Sequence, residues 1–269
     1  MKTPFGVISV AGMYRTGKSY LLNRMLLNRQ SGFSVGPTVN PCTKGLWIWT
    51  KPIYGKAEDG SNLPIFIIDT EGFGAFDEDQ NHDIKIFTLA ILCCSYFIYN
   101  STGNIDENAI QSLNFVINLS KHLHMKSNQK TGKDMEPDEF SSVFPSLLWV
   151  LRDFSLQLVD DDGDNITAKE YLEKCLDYSK LGGGLNEQDP KQKVRKLIKA
   201  YFKDRDCSTL VRPLSGEKEL QNLEKMDTKL RPEFLEQMLL LRKKVFSKVK
   251  AKTFKGKQVN GEMYLIMIK

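Results

Sequence analysis

The chain has 269 residues, of which 41% are hydrophobic and 26% charged, and its formal net charge is +5 at pH 7. These proportions are typical of a globular protein and exclude a disordered or low-complexity chain. The longest apolar runs, such as residues 89–94, are far shorter than the roughly 20 residues that a membrane-spanning helix needs. The length predicts one large domain or two modest ones.

Targeting and redox features predict a cytoplasmic protein. We expect no signal peptide, since the N-terminus lacks the required charged and apolar regions, and the C-terminus carries no prenylation box. The odd number of cysteines argues against a disulfide framework, and their spacing does not suit a metal. They are Cys42, Cys93, Cys94, Cys175 and Cys207. Basic clusters after residue 190 alternate with apolar residues, which favours solvated helix faces over a nucleic-acid interface. We expect membrane association only through regions outside this chain.

Strand and helix patterns alternate along the chain. Strand patterns cover residues 7–11, 46–49, 64–69, 96–99, 147–151 and 207–211. Helical patterns cover residues 18–27, 83–93, 106–124, 168–178, 191–202, 216–226 and 231–248. Polar or glycine-rich stretches at 126–139 and 181–185 predict exposed loops. This alternation predicts an α/β fold with a mainly parallel central sheet flanked by helices.

Residues 12–19 fit the phosphate-binding pattern G-x-x-x-x-G-K-[ST]. The pattern lies between the first strand pattern and the first helix pattern, as a phosphate-binding loop (P-loop) requires. Backbone N–H groups and the helix N-terminus would hold the phosphates, Lys18 would neutralise the β/γ oxygens, and the Ser19 hydroxyl would ligate Mg²⁺. We therefore predict a nucleoside triphosphate site in an enlarged, Ras-like P-loop NTPase fold.

Two later segments supply the other groups that phosphoryl chemistry needs. The strand pattern at 64–69 ends in a D-x-x-G motif, in which Asp69 would hold Mg²⁺ through water and the Gly72 amide would approach the γ-phosphate. Thr43 lies in a turn-rich segment between the two motifs and would ligate Mg²⁺ in a switch loop that hydrolysis releases. A plain loop threonine is the alternative. Ser19, Thr43 and Asp69 form the predicted metal set.

The nucleobase would be selected after the strand pattern at 147–151, which is followed by Arg152 and Asp153. Small GTPases usually read guanine with an N/T-K-x-D motif, and no such tetrapeptide occurs in this chain. A carboxylate at Asp153 would accept hydrogen bonds from guanine N1–H and N2–H₂, which adenine does not offer. An ordinary Arg–Asp ion pair at a strand end is the alternative, and an ATPase is the more distant one.

Residues 14–23, 32–36, 43–49, 69–72 and 151–156 together resemble the large GTPase domain of guanylate-binding proteins, in the dynamin-like superfamily. The strings Y-R-T-G-K-S and L-R-D-F-S-L carry most of the specificity. The resemblance implies Mg²⁺-dependent hydrolysis of GTP to GDP, a further cleavage to GMP, and activation by nucleotide-dependent homodimerisation. It also implies a GTPase domain over residues 1–250, followed by a linker and the start of a helical stalk over residues 251–269.

The resemblance implies roles for single residues as well. Arg15 would be an arginine supplied in cis to the transition state, and Glu71 would help to organise the attacking water. Together with Lys18 and Thr43 they form the implied catalytic set. Asp83 would belong to the dimer interface, and Arg212 to a base-covering loop with Pro213. The implied nucleotide-binding set is Gly12, Met13, Tyr14, Arg15, Thr16, Gly17, Lys18, Ser19, Tyr20, Val35, Gly36, Pro37, Asp69, Thr70, Glu71, Gly72, Arg152, Asp153 and Arg212.

The chain departs from the family pattern in the switch segment. Pro41 stands where close members carry a serine that helps to position the catalytic water, and Cys42 stands in place of a histidine. Pro37 alters the backbone of the same segment. Pro41 favours a rival interpretation, in which the chain is a GTP-gated assembly module that binds nucleotide and dimerises with little or no hydrolysis.

Overall fold

The computed structural model describes residues 3–35, 43–73, 80–113, 144–177, 189–254 and 256–268. The strands are β1 (Gly6–Ala11), β2 (Leu46–Lys56), β3 (Asn62–Thr70), β4 (Tyr96–Thr102), β5 (Ser146–Arg152), β6 (Arg205–Leu210), β7 (Thr253–Phe254) and β8 (Lys257–Gln258). The helices are α1 (Lys18–Leu21), α2 (Gln80–Cys93), α3 (Glu107–Gln111), α4 (Ala168–Leu176), α5 (Pro190–Tyr201), α6 (Glu217–Leu220), α7 (Pro232–Lys248) and α8 (Gly261–Ile268).

The central sheet has six strands in the order β2-β3-β1-β4-β5-β6. β1 pairs in parallel with β3 and β4, and β5 pairs in parallel with β4 and β6, whereas β2 runs antiparallel to β3. Both faces of the sheet are covered, which explains why β1 and β5 are apolar almost throughout. The predicted α/β fold with a mainly parallel sheet is confirmed.

Two buried clusters lie on opposite faces of the sheet. Along β5, Leu147, Trp149 and Leu151 belong to one cluster, and Leu148 and Val150 belong to the other. This division follows from the two-residue period of a strand, because successive side chains point to opposite faces. Residues of α2, α4 and α5 complete the first cluster, and residues of α1 and α7 complete the second.

Several elements differ from the sequence prediction in length. β2 continues to Lys56 through a register shift between Trp49 and Ile53, which the pattern at 46–49 did not indicate. An edge strand tolerates the proline at position 52 because its outer N–H groups need no partner in the sheet. The helix pattern at 18–27 becomes α1 followed by a π-helical turn, Leu22–Leu27. Of the pattern at 106–124, α3 is described, and residues 114–124 lie outside the described ranges.

The predicted helix at 216–226 was wrong as a continuous element. The chain instead forms α6 and then two 3₁₀ turns, Leu223–Lys225 and Asp227–Lys229. Leu220, Leu223 and Met226 pack against the second cluster, and their spacing of three residues matches one face of a 3₁₀ helix. The predicted loops at 126–139 and 181–185 fall outside the described residues.

The C-terminal segment returns to the body of the domain. Val259 and Tyr264 belong to the first buried cluster, and the ring of Tyr264 meets the edge of the Phe5 ring with centroids 5.2 Å apart. The ammonium group of Lys252 donates to the Cys94 carbonyl oxygen over 2.6 Å. Within the described ranges, no helix combines the length and the apolarity needed to cross a membrane.

Candidate nucleotide-binding site

The loop between β1 and α1 has the backbone of an anion site. Arg15 and Gly17 have positive φ angles of 64° and 76°. Alternation of right- and left-handed residues turns successive N–H groups towards one centre and forms a nest for an anion. The Met13 carbonyl closes the loop by accepting from Lys18 Nζ at 3.0 Å and Thr16 Oγ1 at 2.8 Å. The left-handed conformation of Arg15 is strained for a residue with a Cβ atom, and such strain gathers at functional loops.

A cavity of about 490 Å³ extends from this loop along the carboxyl ends of the parallel strands. Ligands of open α/β sheets bind at this edge, because the loops that follow neighbouring strands meet there. The cavity is lined by Tyr14, Arg15, Thr16, Gly17, Lys18, Ser19, Tyr20, Ser34, Val35, Thr43, Thr70, Gly72, Thr102, Arg152, Asp153, Pro213, Leu220, Gln221, Asn222, Leu223 and Lys225. The P-loop and Asp153 therefore line one cavity, as a nucleotide requires of the groups that hold its phosphates and its base.

Ser19, Thr43 and Asp69 form a compact group of oxygen donors. Ser19 Oγ donates to Asp69 Oδ2 at 2.6 Å, and Thr43 Oγ1 lies 3.3 Å from the same oxygen. Asp69 is fully buried, and burial raises the pKa of its carboxyl group. Its second oxygen, Oδ1, has no hydrogen-bond partner among the described residues. A buried carboxylate beside two hydroxyls suits a hard cation with oxygen ligands, so these residues fit Mg²⁺.

Glu71 is connected to the segment that carries Thr43. Its Oε2 accepts from the Gly45 N–H at 2.7 Å, and its own N–H donates to the Gly45 carbonyl oxygen at 2.9 Å. The side chain is buried, and His82 Nε2 lies 3.4 Å from the same Oε2. Within the described residues, Oε1 of Glu71 has no hydrogen-bond partner. The carboxylate is thus held through one oxygen and keeps the other available.

Gly72 allows the D-x-x-G segment to lie directly against the P-loop. A Cβ atom at Gly72 would collide with the backbone of Tyr14. The contact is reinforced by backbone hydrogen bonds from the Tyr14 N–H to the Phe73 carbonyl oxygen, and from the Phe73 N–H to the Gly12 carbonyl oxygen. Backbone contacts therefore hold the two segments against each other.

Arg152 and Asp153 point to different places. Arg152 is buried beneath the P-loop, with Nη1 3.4 Å from the Gly17 carbonyl oxygen and its guanidinium 5.9 Å from the centre of the Phe234 ring. Burial lowers the pKa of Arg152 from its usual value. Asp153 is exposed at the end of the cavity, in a left-handed conformation with φ of 56°. Its carboxylate is accessible to a base, while Arg152 supports the loop.

The structure does not bring every predicted residue to the cavity. The guanidinium of Arg212 pairs with both carboxylate oxygens of Glu217 at 2.7 and 2.8 Å, and Arg212 lines a neighbouring cavity that also includes Asp153. The described residues that line the cavity do not include Gly12, Met13, Asp69 or Glu71. Met13 exposes its side chain and closes the loop through its carbonyl group, and Asp69 contacts the cavity wall through Ser19 and Thr43. Asp83 lies half-buried in the first turn of α2. The predicted residues Gly36 and Pro37, like Pro41 and Cys42, lie outside the described ranges.

Sequence reasoning missed several residues of the site. The segment from Leu220 to Lys225 lines the base end of the cavity, although no motif marks it. Ser34 and Thr102 also line the cavity, and Asn100 lies directly behind the P-loop. A signal existed for Asn100, because a polar residue at the carboxyl end of an apolar strand in an α/β sheet lies at the edge where ligands bind.

Burial makes Lys18 a pH-dependent ligand. Desolvation lowers the pKa of Lys18 to about 8, while Asp69 and Glu71 act in the opposite direction. Phosphate binds the protonated ammonium form and raises its pKa. Affinity for GDP in metal-free buffer should therefore be constant below about pH 8 and weaken by up to about tenfold per pH unit above it. Titration calorimetry between about pH 7 and pH 9, in buffers of different ionisation enthalpy, would reveal the accompanying proton uptake.

The control is Lys18→Arg, since a guanidinium stays charged throughout this range. The affinity of this variant for GDP, even if weaker than that of the unchanged chain, should not fall above about pH 8, because its guanidinium keeps its proton. Constant affinity of the unchanged chain, without proton uptake at the alkaline end, would contradict the prediction.

Comparison with known proteins agrees with this geometry. The family model described as "Guanylate-binding protein, N-terminal domain" matches residues 1–254. Guanylate-binding protein 1 of Chlorocebus aethiops is 40% identical over 262 residues, which are 96% of this chain and 43% of that relative. Guanylate-binding protein 1 of Homo sapiens is 39% identical over 264 residues, again 96% of this chain and 43% of the relative.

Guanylate-binding protein 7 of Mus musculus is 37% identical over 269 residues, covering 98% of this chain and 41% of the relative. The chain thus spans less than half of the length of these curated relatives. The match nevertheless includes the P-loop, the D-x-x-G segment, Asp153 and the sheet that positions them. The chain therefore belongs to the guanylate-binding protein family.

Proposed function

We propose that the chain is a GTPase domain that binds GTP with Mg²⁺ and hydrolyses it to GDP, with GMP as a further product. The observation that carries this proposal is the group formed by Ser19, Thr43 and Asp69 beside the P-loop, because Ser19 and Thr43 line the same cavity as Asp153 and both hydroxyls contact Asp69. Family membership supports guanine as the base. Asp153 has the acceptor pair that guanine needs, and it is an exposed residue of the same cavity as the P-loop.

Each residue has a role in the proposed reaction. The P-loop N–H groups and Lys18 bind the phosphates, and Mg²⁺, when bound, neutralises charge on the β- and γ-phosphate oxygens. Ser19 and Thr43 would hold the cation through their hydroxyl groups, and Asp69 would hold it through water. Gly45 holds Oε2 of Glu71, and Oε1 has no hydrogen-bond partner among the described residues, so in this proposal Glu71 orders the water that attacks the γ-phosphorus. The bond from phosphorus to the bridging oxygen of GDP then breaks, and Arg15 stabilises the charge that develops.

Dimerisation completes the proposed mechanism. Arg15 is exposed at the rim of the P-loop, where water weakens its interaction with phosphate. A second copy that covers this face, with contacts near Arg212, excludes that water and fixes the guanidinium. Residues 1–250 form the GTPase domain in this proposal, and residues 251–269 form the linker and the start of the stalk. The protein acts in the cytoplasm as a homodimer.

Steady-state hydrolysis of GTP and ATP, over a range of protein concentrations, tests the proposal. We expect turnover of GTP but not of ATP, a specific activity that rises with protein concentration, loss of turnover in excess EDTA, and GMP among the separated products. ATP turnover equal to GTP turnover would contradict the guanine assignment. Specific activity independent of concentration would remove the dimer from the mechanism.

Tight GTP binding without turnover would instead support the rival function, a nucleotide-gated assembly module. Pro41 is the sequence feature that favours it, because a proline there removes the serine hydroxyl that close family members use near the water. Pro41→Ser is the variant that separates the two functions. Recovery of GTP turnover in this variant would show that Pro41 causes the lack of hydrolysis. Continued inactivity would show that the cause lies at another residue of the site.

A further inference from the structure

Asn100 lies behind the P-loop and contacts it directly. It is the fifth residue of β4, and its side chain is fully buried. Its amide Nδ2 donates to the carbonyl oxygen of Thr16 at 3.0 Å. The backbone of Asn100 is equally close to the loop, since a Cβ atom at Gly12 would collide with the Asn100 carbonyl oxygen. This proximity arises because β4 is the parallel neighbour of β1.

The hydrogen bond at the Thr16 carbonyl determines where the next N–H group points. In a trans peptide, the carbonyl of one residue and the N–H of the next point in opposite directions. A carbonyl held towards Asn100 therefore directs the Gly17 N–H towards the cavity. Arg152 acts in the same way one residue later, with Nη1 3.4 Å from the Gly17 carbonyl oxygen, which directs the Lys18 N–H.

We propose that Asn100 is a positioning residue of the phosphate site: by holding the Thr16 carbonyl it orients the Thr16–Gly17 peptide so that its N–H donates to a nucleotide phosphate. This inference rests on the proposed function. Asn100 from β4 and Arg152 from β5 hold two consecutive peptides of the loop from beneath. Asn100 is not among the described residues that line the cavity, so it determines phosphate affinity through the loop without determining base selectivity.

The chemistry of Asn100 is difficult to explain by packing alone. Its Oδ1 is buried and has no hydrogen-bond partner within the described residues. An unsatisfied buried oxygen destabilises the fold, and an apolar side chain would avoid that cost. What asparagine contributes is a short, uncharged donor next to a carbonyl oxygen. A lysine would require burial of a charge, and an aspartate would place negative charge against the carbonyl.

The test compares Asn100→Ala with Ser101→Ala. Ser101, the next residue of β4, accepts a buried hydrogen bond from Trp149 Nε1 at 2.8 Å, away from the P-loop. Each variant removes one buried hydrogen bond from the same strand, so both should lower the unfolding temperature without nucleotide by a similar amount. GDP and GTP binding, measured by calorimetry, should weaken roughly tenfold or more in Asn100→Ala and stay within about twofold in Ser101→Ala.

Base selectivity provides a second readout. The ratio of GTP to ATP affinity should be unchanged in Asn100→Ala, because the loop contacts only phosphates. Asn100→Asp keeps the shape of the side chain but loses the donor, and it should weaken phosphate binding at least as much. Folding of both variants is checked by their thermal unfolding without nucleotide.

Two outcomes would overturn the inference. In the first, Asn100→Ala loses as much stability as Ser101→Ala but binds GDP as tightly as the unchanged chain. This result would show that the hydrogen bond from Asn100 to Thr16 only stabilises the fold. A changed ratio of GTP to ATP affinity would show that Asn100 acts on the base instead. Failure of the unchanged chain to bind GDP or GTP would overturn the proposed function itself, and that result is distinguishable from the other two.

Discussion

Replacing Asp153 by Asn is expected to weaken GTP binding by roughly 100-fold or more and to strengthen binding of xanthosine triphosphate. The carboxylate accepts from both N1–H and N2–H₂ of guanine, whereas an amide offers one acceptor and one donor. The donor of the substituted amide would face the guanine amino group, leaving polar groups without partners. Xanthine carries a carbonyl oxygen at that position and can accept from the amide. Competition binding with GTP, xanthosine triphosphate and ATP measures the change.

The backbone conformation at position 153 accommodates asparagine as well as aspartate. Asp153 has a φ angle of 56°, and asparagine adopts the left-handed conformation at least as readily as aspartate. The change therefore adds no backbone strain. Asp162→Asn, in an exposed turn remote from the cavity, is the matched control and should leave all three affinities unchanged. Unaltered GTP affinity in Asp153→Asn would remove the guanine assignment.

Replacing Arg15 by Ala is expected to lower kcat by about 1,000-fold while changing GTP affinity only a few-fold, since an arginine that stabilises phosphoryl transfer acts mainly in the transition state. Arg15 is exposed, so we expect little of the binding energy for GTP to depend on it. Its φ angle of 64° is already strained for a residue with a Cβ atom, and alanine retains that strain without adding to it. Single-turnover hydrolysis separates the chemical step from binding.

Arg15→Lys is the matched control, because it keeps the charge and loses the planar fork of donors. We expect it to recover only a small part of the lost turnover, since one ammonium group does not contact two phosphate oxygens with fixed geometry. Turnover equal to that of the unchanged chain in Arg15→Ala would exclude Arg15 from the mechanism. A large loss of GTP affinity with kcat unchanged would instead assign Arg15 to ground-state binding.

Local patterns predicted much of the fold. The six strands of the sheet were each indicated, and β1 and β5 most clearly, because parallel strands covered on both faces are continuous apolar runs between turns. Errors arose where packing overrides local pattern. β2 continues past the residues that looked like a strand because it pairs with the full length of β3. The segment after residue 216 breaks into short turns because leucines three residues apart meet the core.

The candidate site also divides into features that local sequence predicted and features that only packing determined. The sequence by itself determined the P-loop, the D-x-x-G segment and Asp153, because each is a short motif whose chemistry depends on adjacent residues and on the strand before it. Only the tertiary structure decided that the Asn100 side chain holds the Thr16 carbonyl, 84 residues away along the chain. Such contacts depend on which strands flank β1, and strand order is set by how helices pack across the sheet rather than by any local pattern.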